Sequence, residues 1–332
     1  MGDDGSVDDP GVTRQGWAVP GSVVDQPVPE APTPVAPTEP QLVSPDGERA
    51  RPGSDAVPSI PLMPRTTADI LDGGFAVLKA RPARIIGLTA AFVVPLQVVA
   101  AYLQRDYLGG VPIADFITDD PTVLNEQSSG TQGAEIVAGI AVILLSTLAL
   151  VFVAAALAHL VTQWTMGRDP GIGELFGVIA RRSWPLLVTF AVVKLAEVGG
   201  ALACYIGLPF VMALFVPVAP IVGVEGVGPF ASLGRSTRLT RARYWPTLGI
   251  ALLMGLTSWL LGTALSALPE LLAAWVGLDR GWPILAAGNI AAEIIVVPFV
   301  AASTVLLYLD LRVRTEGLDI DMAAGHAFDR RD

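Results

Sequence analysis

The amino-acid sequence predicts an all-α membrane protein: six membrane-spanning helices in three hairpin repeats, each preceded by a cytoplasmic amphipathic helix, after a disordered N-terminal tail. Three observations lead to this prediction. Long apolar runs recur along the chain, basic residues gather between alternate runs, and a basic motif with proline precedes three of them, with a tryptophan in the second and third copies and Ala83 in its place in the first. Only 16% of the 332 residues are charged, against about 25% in soluble domains, and this deficit is typical of a chain embedded in lipid.

The first 64 residues differ in composition from the rest. They contain 13 of the 27 prolines, with ten acidic and three basic residues, a net charge of −7. Such a segment cannot bury enough apolar surface to offset the conformational entropy lost on ordering, so we predict a disordered, acidic, proline-rich cytoplasmic tail over 1–64. The membrane domain is predicted over 65–314, followed by a short cytoplasmic tail over 315–332.

Six segments are apolar and near the roughly 20 residues that a helix needs to cross a bilayer. They lie at 85–103, 136–160, 185–206, 209–225, 247–268 and 284–308. Only Gly207–Pro209 separates the third from the fourth, which predicts a tight helical hairpin. Pro217 and Pro220 are expected to kink the fourth, because membrane helices tolerate proline where neighbours satisfy the freed carbonyls.

Basic residues fall mainly on one side of the predicted spans. That side carries thirteen: Arg65, Lys79, Arg81, Arg84, Arg168, Arg181, Arg182, Arg235, Arg238, Arg241, Arg243, Arg312 and Arg314. The other side carries Arg105 and Arg280. Because basic loops stay in the cytoplasm, both termini are predicted to be cytoplasmic in a multi-pass plasma-membrane protein.

A repeat becomes visible when Arg81, Arg182 and Arg243 are aligned. Apolar or threonine residues then recur ten, six and three positions upstream: Leu71, Ile172 and Leu233; Phe75, Phe176 and Thr237; Leu78, Ile179 and Thr240. These offsets predict three amphipathic helices on the inner interface, each ending at a hinge before a hairpin of two spans. Trp184 and Trp245 are predicted to anchor that interface. The alternative is that inner boundaries share composition without a repeat.

Two of these amphipathic helices have sequence signals for their start. Asp169 is expected to cap the second helix, with Pro170 at its first position and Glu174 in its first turn. Thr66 and Asp69 have the spacing of a capping box for the first helix.

Three stretches carry a family resemblance: "ADILDGGFAVLKARP" at 68–82, "VEGVGPFASLGRSTRLTRARYWPTLG" at 224–249 and "LLYLDLRVRTEGLDID" at 306–321. With them, residues 62–321 resemble the actinobacterial glycerophosphoryl diester phosphodiesterase membrane-domain family. The resemblance implies an integral membrane protein. The family name comes from proteins in which a similar membrane region is fused to a phosphodiesterase domain.

The sequence predicts no catalytic site for such chemistry. Metal-assisted phosphodiester hydrolysis needs clustered histidines and carboxylates on a soluble scaffold, whereas the two histidines, His159 and His326, are far apart in sequence. No phosphate-binding glycine loop, zinc-ligand spacing or nucleophile elbow is present. We therefore predict a protein that is not an enzyme and has no metal or cofactor.

Four polar residues inside the predicted spans are candidates for a buried cluster, because each intramembrane charge costs at least about 2.5 kcal/mol. Lys194 and Glu197 share a face of span 3, and Asn289 and Glu293 share a face of span 6 at similar depth. The cluster is predicted to be a structural salt bridge between the two spans. The alternative is a proton, ion or lipid-headgroup site.

The inner-side arginines are candidates for contacts with anionic lipid headgroups or with a protein partner. They are Arg81, Arg84, Arg181, Arg182, Arg235, Arg238, Arg241, Arg243, Arg312 and Arg314. Glu225 is expected to pair with Arg235 or Arg238, and Asp310, Arg312 and Arg314 to form a charge network at a helix end. Nucleic acid is not expected as a partner, since these basic residues are interleaved with membrane anchors and the tail is acidic.

The function predicted from these features is that of a non-catalytic scaffold or accessory subunit of a cell-envelope complex, with a membrane or cytoplasmic protein as partner. The alternative is a small transporter or lipid-handling protein that uses the intramembrane cluster.

Overall fold

The computed structural model describes residues 57–58, 63–104, 132–202, 206–276 and 278–318. Within these ranges the chain forms nine α-helices and no strand. In chain order they are α1 (Thr67–Ala80), α2 (Pro82–Gln104), α3 (Gln132–Thr165), α4 (Ile172–Leu202), α5 (Gly207–Phe215), α6 (Val218–Glu225), α7 (Pro229–Arg241), α8 (Tyr244–Val276) and α9 (Leu278–Glu316). The predicted all-α fold is confirmed. Most of the proline-rich tail, Arg105, His326 and the end of the C-terminal tail lie outside the described ranges.

Six segments of the described chain are long and apolar enough to cross a membrane. They are Pro82–Leu103, Ile136–Thr165, Ile172–Leu202, Gly207–Glu225, Tyr244–Val276 and Gly281–Glu316. Each overlaps one of the predicted spans, which confirms the multi-pass architecture. A short helix followed by two spans occurs at α1–α3 and at α7–α9, whereas in the second unit the amphipathic segment and the span form one helix, α4; an internal sequence repeat stays a prediction.

The central helix of the bundle is α9, which packs against α1, α2, α3 and α8. Its second half is almost continuously buried, and Phe299 and Tyr308 are fully enclosed together with Trp164 of α3. Burial of this apolar surface against several helices makes α9 the main organiser of the core.

Helix α1 begins with the predicted capping box. The Asp69 amide donates to Thr66 Oγ1 (3.2 Å), and the Thr66 amide donates to Asp69 Oδ2 (2.8 Å). The helix then lies against α9, where a Cβ on Gly74 would collide with Ser303 and lie 3.3 Å from the ring of Phe299. Helix α1 thus docks on α9 as well as preceding α2.

The predicted hinges differ among the three amphipathic segments. Arg81 leaves the helical conformation (φ −141°, ψ 65°) between α1 and α2, and a turn separates α7 from α8, as predicted. The second hinge was predicted wrongly, because α4 continues through Trp184 and Pro185. Leu175 and Ile179, before the proline, are buried in the main core, so an unbroken helix keeps this apolar stripe in place.

The fourth span consists of the short helices α5 and α6, which meet at Pro217, where the kink was predicted. Helices α4 and α5 pack closely: a Cβ on Gly200 would lie 3.1 Å from the Gly207 carbonyl group. The predicted tight hairpin between the third and fourth spans agrees with this contact.

Candidate functional site

An ion-paired group joins α6, α7 and α9 at the arginine-rich end of the bundle. Arg235 Nε contacts both carboxylate oxygens of Glu225 (2.9 and 2.7 Å), and its terminal nitrogens donate to Glu316 (2.6 and 3.0 Å). Tyr308 donates to Glu225 Oε1 (2.9 Å), and Arg312 Nε donates to Glu316 Oε2 (3.1 Å). We call these five residues the α7 clamp, and they confirm the predicted pairing of Glu225 with Arg235.

Hydrogen bonds within the α7 clamp favour the charged form of Arg235. Burial lowers the pKa of the Arg235 guanidinium, but its hydrogen bonds to Glu316 and Glu225 outweigh burial and hold that pKa above its ordinary value. Tyr308 was not a sequence candidate. Its spacing of four residues from Arg312, and eight from Glu316, is the signal that could have placed it on the same helix face.

A second ion-paired group joins the residue before α1 to the end of α9. Arg314 Nε donates to both oxygens of Asp310 (2.8 and 2.9 Å), and its Nη2 donates to the Arg65 carbonyl (2.7 Å). The Arg65 amide donates to Asp310 Oδ1 (2.7 Å), and burial lowers the pKa of the Arg65 guanidinium. The helix-end network predicted for Asp310, Arg312 and Arg314 is confirmed for Asp310 and Arg314, whereas Arg312 pairs with Glu316 in the α7 clamp. The pair also fixes the start of the domain through Arg65.

Asp169 forms a third group instead of the predicted helix cap. It is paired with Arg84 and lies 3.5 Å from Arg81 Nη2, while Trp164 Nε1 donates to it (3.0 Å). Helix α4 begins later, at Ile172. The capping prediction was wrong because two arginines and an indole N–H outcompete a backbone amide for this carboxylate.

Arg182 closes the end of α6. Its guanidinium donates to the Val222 carbonyl (2.9 Å) and to the Gly223 carbonyl, and Gly226 ends the helix in the left-handed conformation (φ 65°). Carbonyls at a helix end have no partner within the helix, and a cation there also opposes the helix dipole. Arg182 therefore acts as an internal cap, a role that sequence position alone did not reveal.

These contacts divide the ten candidate arginines into two sets. Six are held by protein acceptors: Arg81, Arg84, Arg182, Arg235, Arg312 and Arg314. Arg181, Arg238 and Arg241 are exposed and Arg243 is half-buried, while Trp184 and Trp245 are 72% and 70% exposed. We call these last six residues the basic-aromatic surface. Binding of lipid or a partner there stays a prediction.

The predicted intramembrane cluster is divided into two sites. Lys194 Nζ donates to Glu197 Oε2 (2.7 Å) on its own helix. Glu293 instead lies beside Gln97 of α2 and Ser146 of α3, and Asn289 is exposed. Helix α4 packs against α3, α5, α6 and α7, whereas α9 packs chiefly against α1, α2, α3 and α8. The predicted salt bridge between spans 3 and 6 was wrong, since α4 and α9 are not close neighbours.

Gln97 and Ser146 complete the Glu293 site and were missed. Gln97 is 6% exposed, and its Nε2 donates to Ser146 Oγ (2.7 Å). Both are polar residues within apolar spans, and this feature of the sequence could have identified them as site candidates.

No group of three or more His, Cys, Asp or Glu side chains in the described chain is placed to hold a metal ion. His159 Nε2 lies 3.9 Å from Glu174 Oε1 at the arginine-rich end of α3. Comparison with family models, with curated proteins and with solved structures gives no match for this chain.

Proposed function

We propose that this chain is a non-catalytic plasma-membrane protein that serves as a scaffold or accessory subunit of a cell-envelope complex. The observation that carries the proposal is the division of the arginines. Three ion-paired groups hold the helices together at one end of the bundle, and the basic-aromatic surface points outward beside them. This end of the bundle is held rigid by ion pairs and exposes basic and aromatic side chains, which favours stable binding of a protein partner.

The ion-paired groups support a fixed rather than a moving inner end. They link α1, α2, α6, α7 and α9 through charge-assisted hydrogen bonds, which are about twice as strong as neutral ones. Removing one member of such a group leaves a partly buried charge without a partner. A conformational change at this end would have to break several of them together.

The basic-aromatic surface supports a position at the lipid headgroups. Each arginine near an anionic surface contributes about 1 kcal/mol, and exposed tryptophans favour the same depth. Under the positive-inside rule this end and both termini face the cytoplasm, where a protein partner would add contacts to Arg238 and Arg241. The resemblance to the phosphodiesterase membrane-domain family fits such a role beside a separate active protein.

The experiment is quantitative mass spectrometry of proteins that co-purify with the C-terminally tagged full chain after mild detergent extraction. Arg238→Gln with Arg241→Gln should remove a stoichiometric partner, whereas Lys79→Gln, an equally exposed basic residue at the end of α1, should retain it. Neutralising Arg312 or Arg314 is a poorer test, because both are structural. A chain that purifies alone would contradict the proposal.

The tail is tested separately by deletion. The deletion should end at residue 56, because Val57 packs against the main core and the Arg65 backbone is bound to α9. Loss of the partner on this deletion, with the membrane domain still accumulating, would assign the docking to the tail.

A second candidate, a small transporter or lipid-handling protein, rests on the Glu293 site alone. This candidate predicts a transport flux that depends on Glu293 and does not depend on Lys194 or Glu197. Flux assays in liposomes, with each of the three residues substituted in turn, would separate it from the scaffold proposal.

A further inference from the structure

Three helices meet at the carboxyl group of Glu293, deep within the apolar spans. Ser146 lies ten residues after Ile136 and Glu293 twelve after Gly281, which places both about 15–18 Å from those ends of their spans. This is near the middle of a hydrocarbon layer of about 30 Å. Helices α2, α3 and α9, which carry the three residues, all pack against one another.

The carboxyl group of Glu293 lies beside two polar side chains, Ser146 and Gln97. Its Oε2 is shielded from solvent and has no hydrogen-bond partner. Ser146 Oγ accepts a hydrogen bond from Gln97 Nε2, so the Ser146 hydroxyl hydrogen is still available to a further acceptor. The polar neighbours of Glu293 therefore include hydrogen-bond donors and no cation.

No charged side chain in the described part of the chain pairs with Glu293. The charged and titratable groups that the structure describes on the surrounding helices are held elsewhere or lie at the surface: Asp69, Asp72 and Lys79 on α1, Arg84 and Tyr102 on α2, His159 on α3, Tyr244 and Glu270 on α8, and Tyr308, Asp310, Arg312, Arg314 and Glu316 on α9 itself. An ionised carboxylate here would be a buried charge without a counter-ion, which is the costliest state for this group.

We propose that Glu293 is a proton-binding site: a neutral carboxylic acid in the resting protein. A solvent-shielded carboxyl oxygen without a hydrogen-bond partner, in a carboxyl group without a counter-ion in the described chain, matches this assignment. The ligand is a proton rather than sodium ion, because a metal cation needs several oxygen acceptors and meets N–H and O–H groups here. The site is independent of the scaffold proposal.

The experiment uses dicyclohexylcarbodiimide, which enters lipid and reacts with protonated carboxyl groups. The acid O–H adds across a C=N bond, its proton passes to nitrogen, and rearrangement leaves a stable N-acylurea of added mass with nothing released. The full chain is treated in membranes at neutral pH, and peptide mass spectrometry measures the label on each glutamate.

Glu197 is the matched internal control, because it also lies in a span but is ion-paired with Lys194. Glu293 should carry at least about ten times as much label as Glu197, the ratio that one pKa unit between two carboxyl groups gives in protonated fraction. Equal labelling, or an unlabelled Glu293, would overturn the proposal. The sodium arm repeats the reaction with sodium chloride in place of choline chloride: unchanged labelling is expected, and protection by sodium would overturn the choice of ligand.

Two variants separate a neutral acid from a structural anion. Glu293→Gln has the shape and charge of the protonated acid, so it should accumulate and unfold like the unaltered chain, and loss of the folded protein would contradict a neutral Glu293. Ser146→Ala removes a donor that favours the ionised form, so labelling should persist to more alkaline pH. An unchanged pH dependence would overturn the assignment of Ser146 as a donor.

Discussion

Gly223 lies where the backbones of α6 and α3 touch, and replacing it tests the packing of the bundle. A Cβ at this position would lie 2.7 Å from Ala155 Cα and 2.9 Å from its carbonyl carbon, and closer still to its carbonyl oxygen. All three atoms belong to the backbone, so no side-chain rotation can relieve the collision. In Gly223→Ala the two helices must separate.

The magnitude follows from that geometry. Ordinary contact begins near 3.4 Å, so the helices must move apart by about 1 Å along a seam that includes Val222 and the small residues of α3. Overpacking of this kind costs typically 1–3 kcal/mol, and the higher helix propensity of alanine returns up to about 1 kcal/mol. Movement of the Gly223 carbonyl also weakens its bond to Arg182. We expect a net loss of about 2 kcal/mol.

The assay is thermal unfolding of the purified chain in detergent. A loss of about 2 kcal/mol should lower Tm by roughly 4–8 °C. Gly255→Ala is the matched control, since Gly255 is also helical and nothing lies within 4 Å of its added Cβ. That variant should be unchanged or slightly more stable. Equal Tm values for the two variants would refute the close approach of α6 to α3.

Three further changes test the charged groups. Arg235→Gln leaves two glutamates without their shared cation and should lower the free energy of unfolding by about 2 kcal/mol. Arg238→Gln, at an exposed position, should leave it almost unchanged, and chemical denaturation would measure both. Hydrogen bonding with Thr66 holds the pKa of Asp69 below its ordinary value, so its stabilisation is present above the unfolded pKa of about 3.9 and is lost as pH falls through the folded value. Asp69→Asn should therefore lower Tm near neutral pH, and the difference from the unaltered chain should shrink as pH falls through the folded pKa of Asp69. The double variant Lys194→Met with Glu197→Gln should lose less free energy of unfolding than the two single variants lose together. The difference in a double-mutant cycle should be about 1–3 kcal/mol.

The spans could be predicted because crossing a bilayer imposes length and apolarity on a single helix. The break at Pro217 and the cap formed by Thr66 and Asp69 were also predictable, because each depends on residues that are close in sequence. The pairing of Asp310 with Arg314 is also local, being a spacing of four residues on one helix.

The partner of Glu293 could not be predicted, because periodicity gives the depth and face of a residue but not the neighbouring helix. Lys194 and Glu293 lie at similar depths, which suggested a pair, yet their helices pack against different neighbours. Glu293 meets Gln97 and Ser146, whose lack of charge made them inconspicuous within apolar runs. The continuous helix through Pro185 escaped prediction because tertiary packing outweighed a local breaker.

The structure also changes what the arginine count means. The sequence predicts lipid or partner contacts for all ten candidate arginines, but six of them are bound to acceptors within the bundle. A guanidinium that is paired with a carboxylate or carbonyl group attracts a lipid headgroup only weakly. Attraction to an anionic surface therefore depends on the four arginines of the basic-aromatic surface. At about 1 kcal/mol each they supply at most about 4 kcal/mol, less than half of what ten unpaired arginines would give. The residues on which the predicted orientation depends therefore serve mainly to join the helices, and only a small basic patch is left for the proposed binding of lipid or a partner.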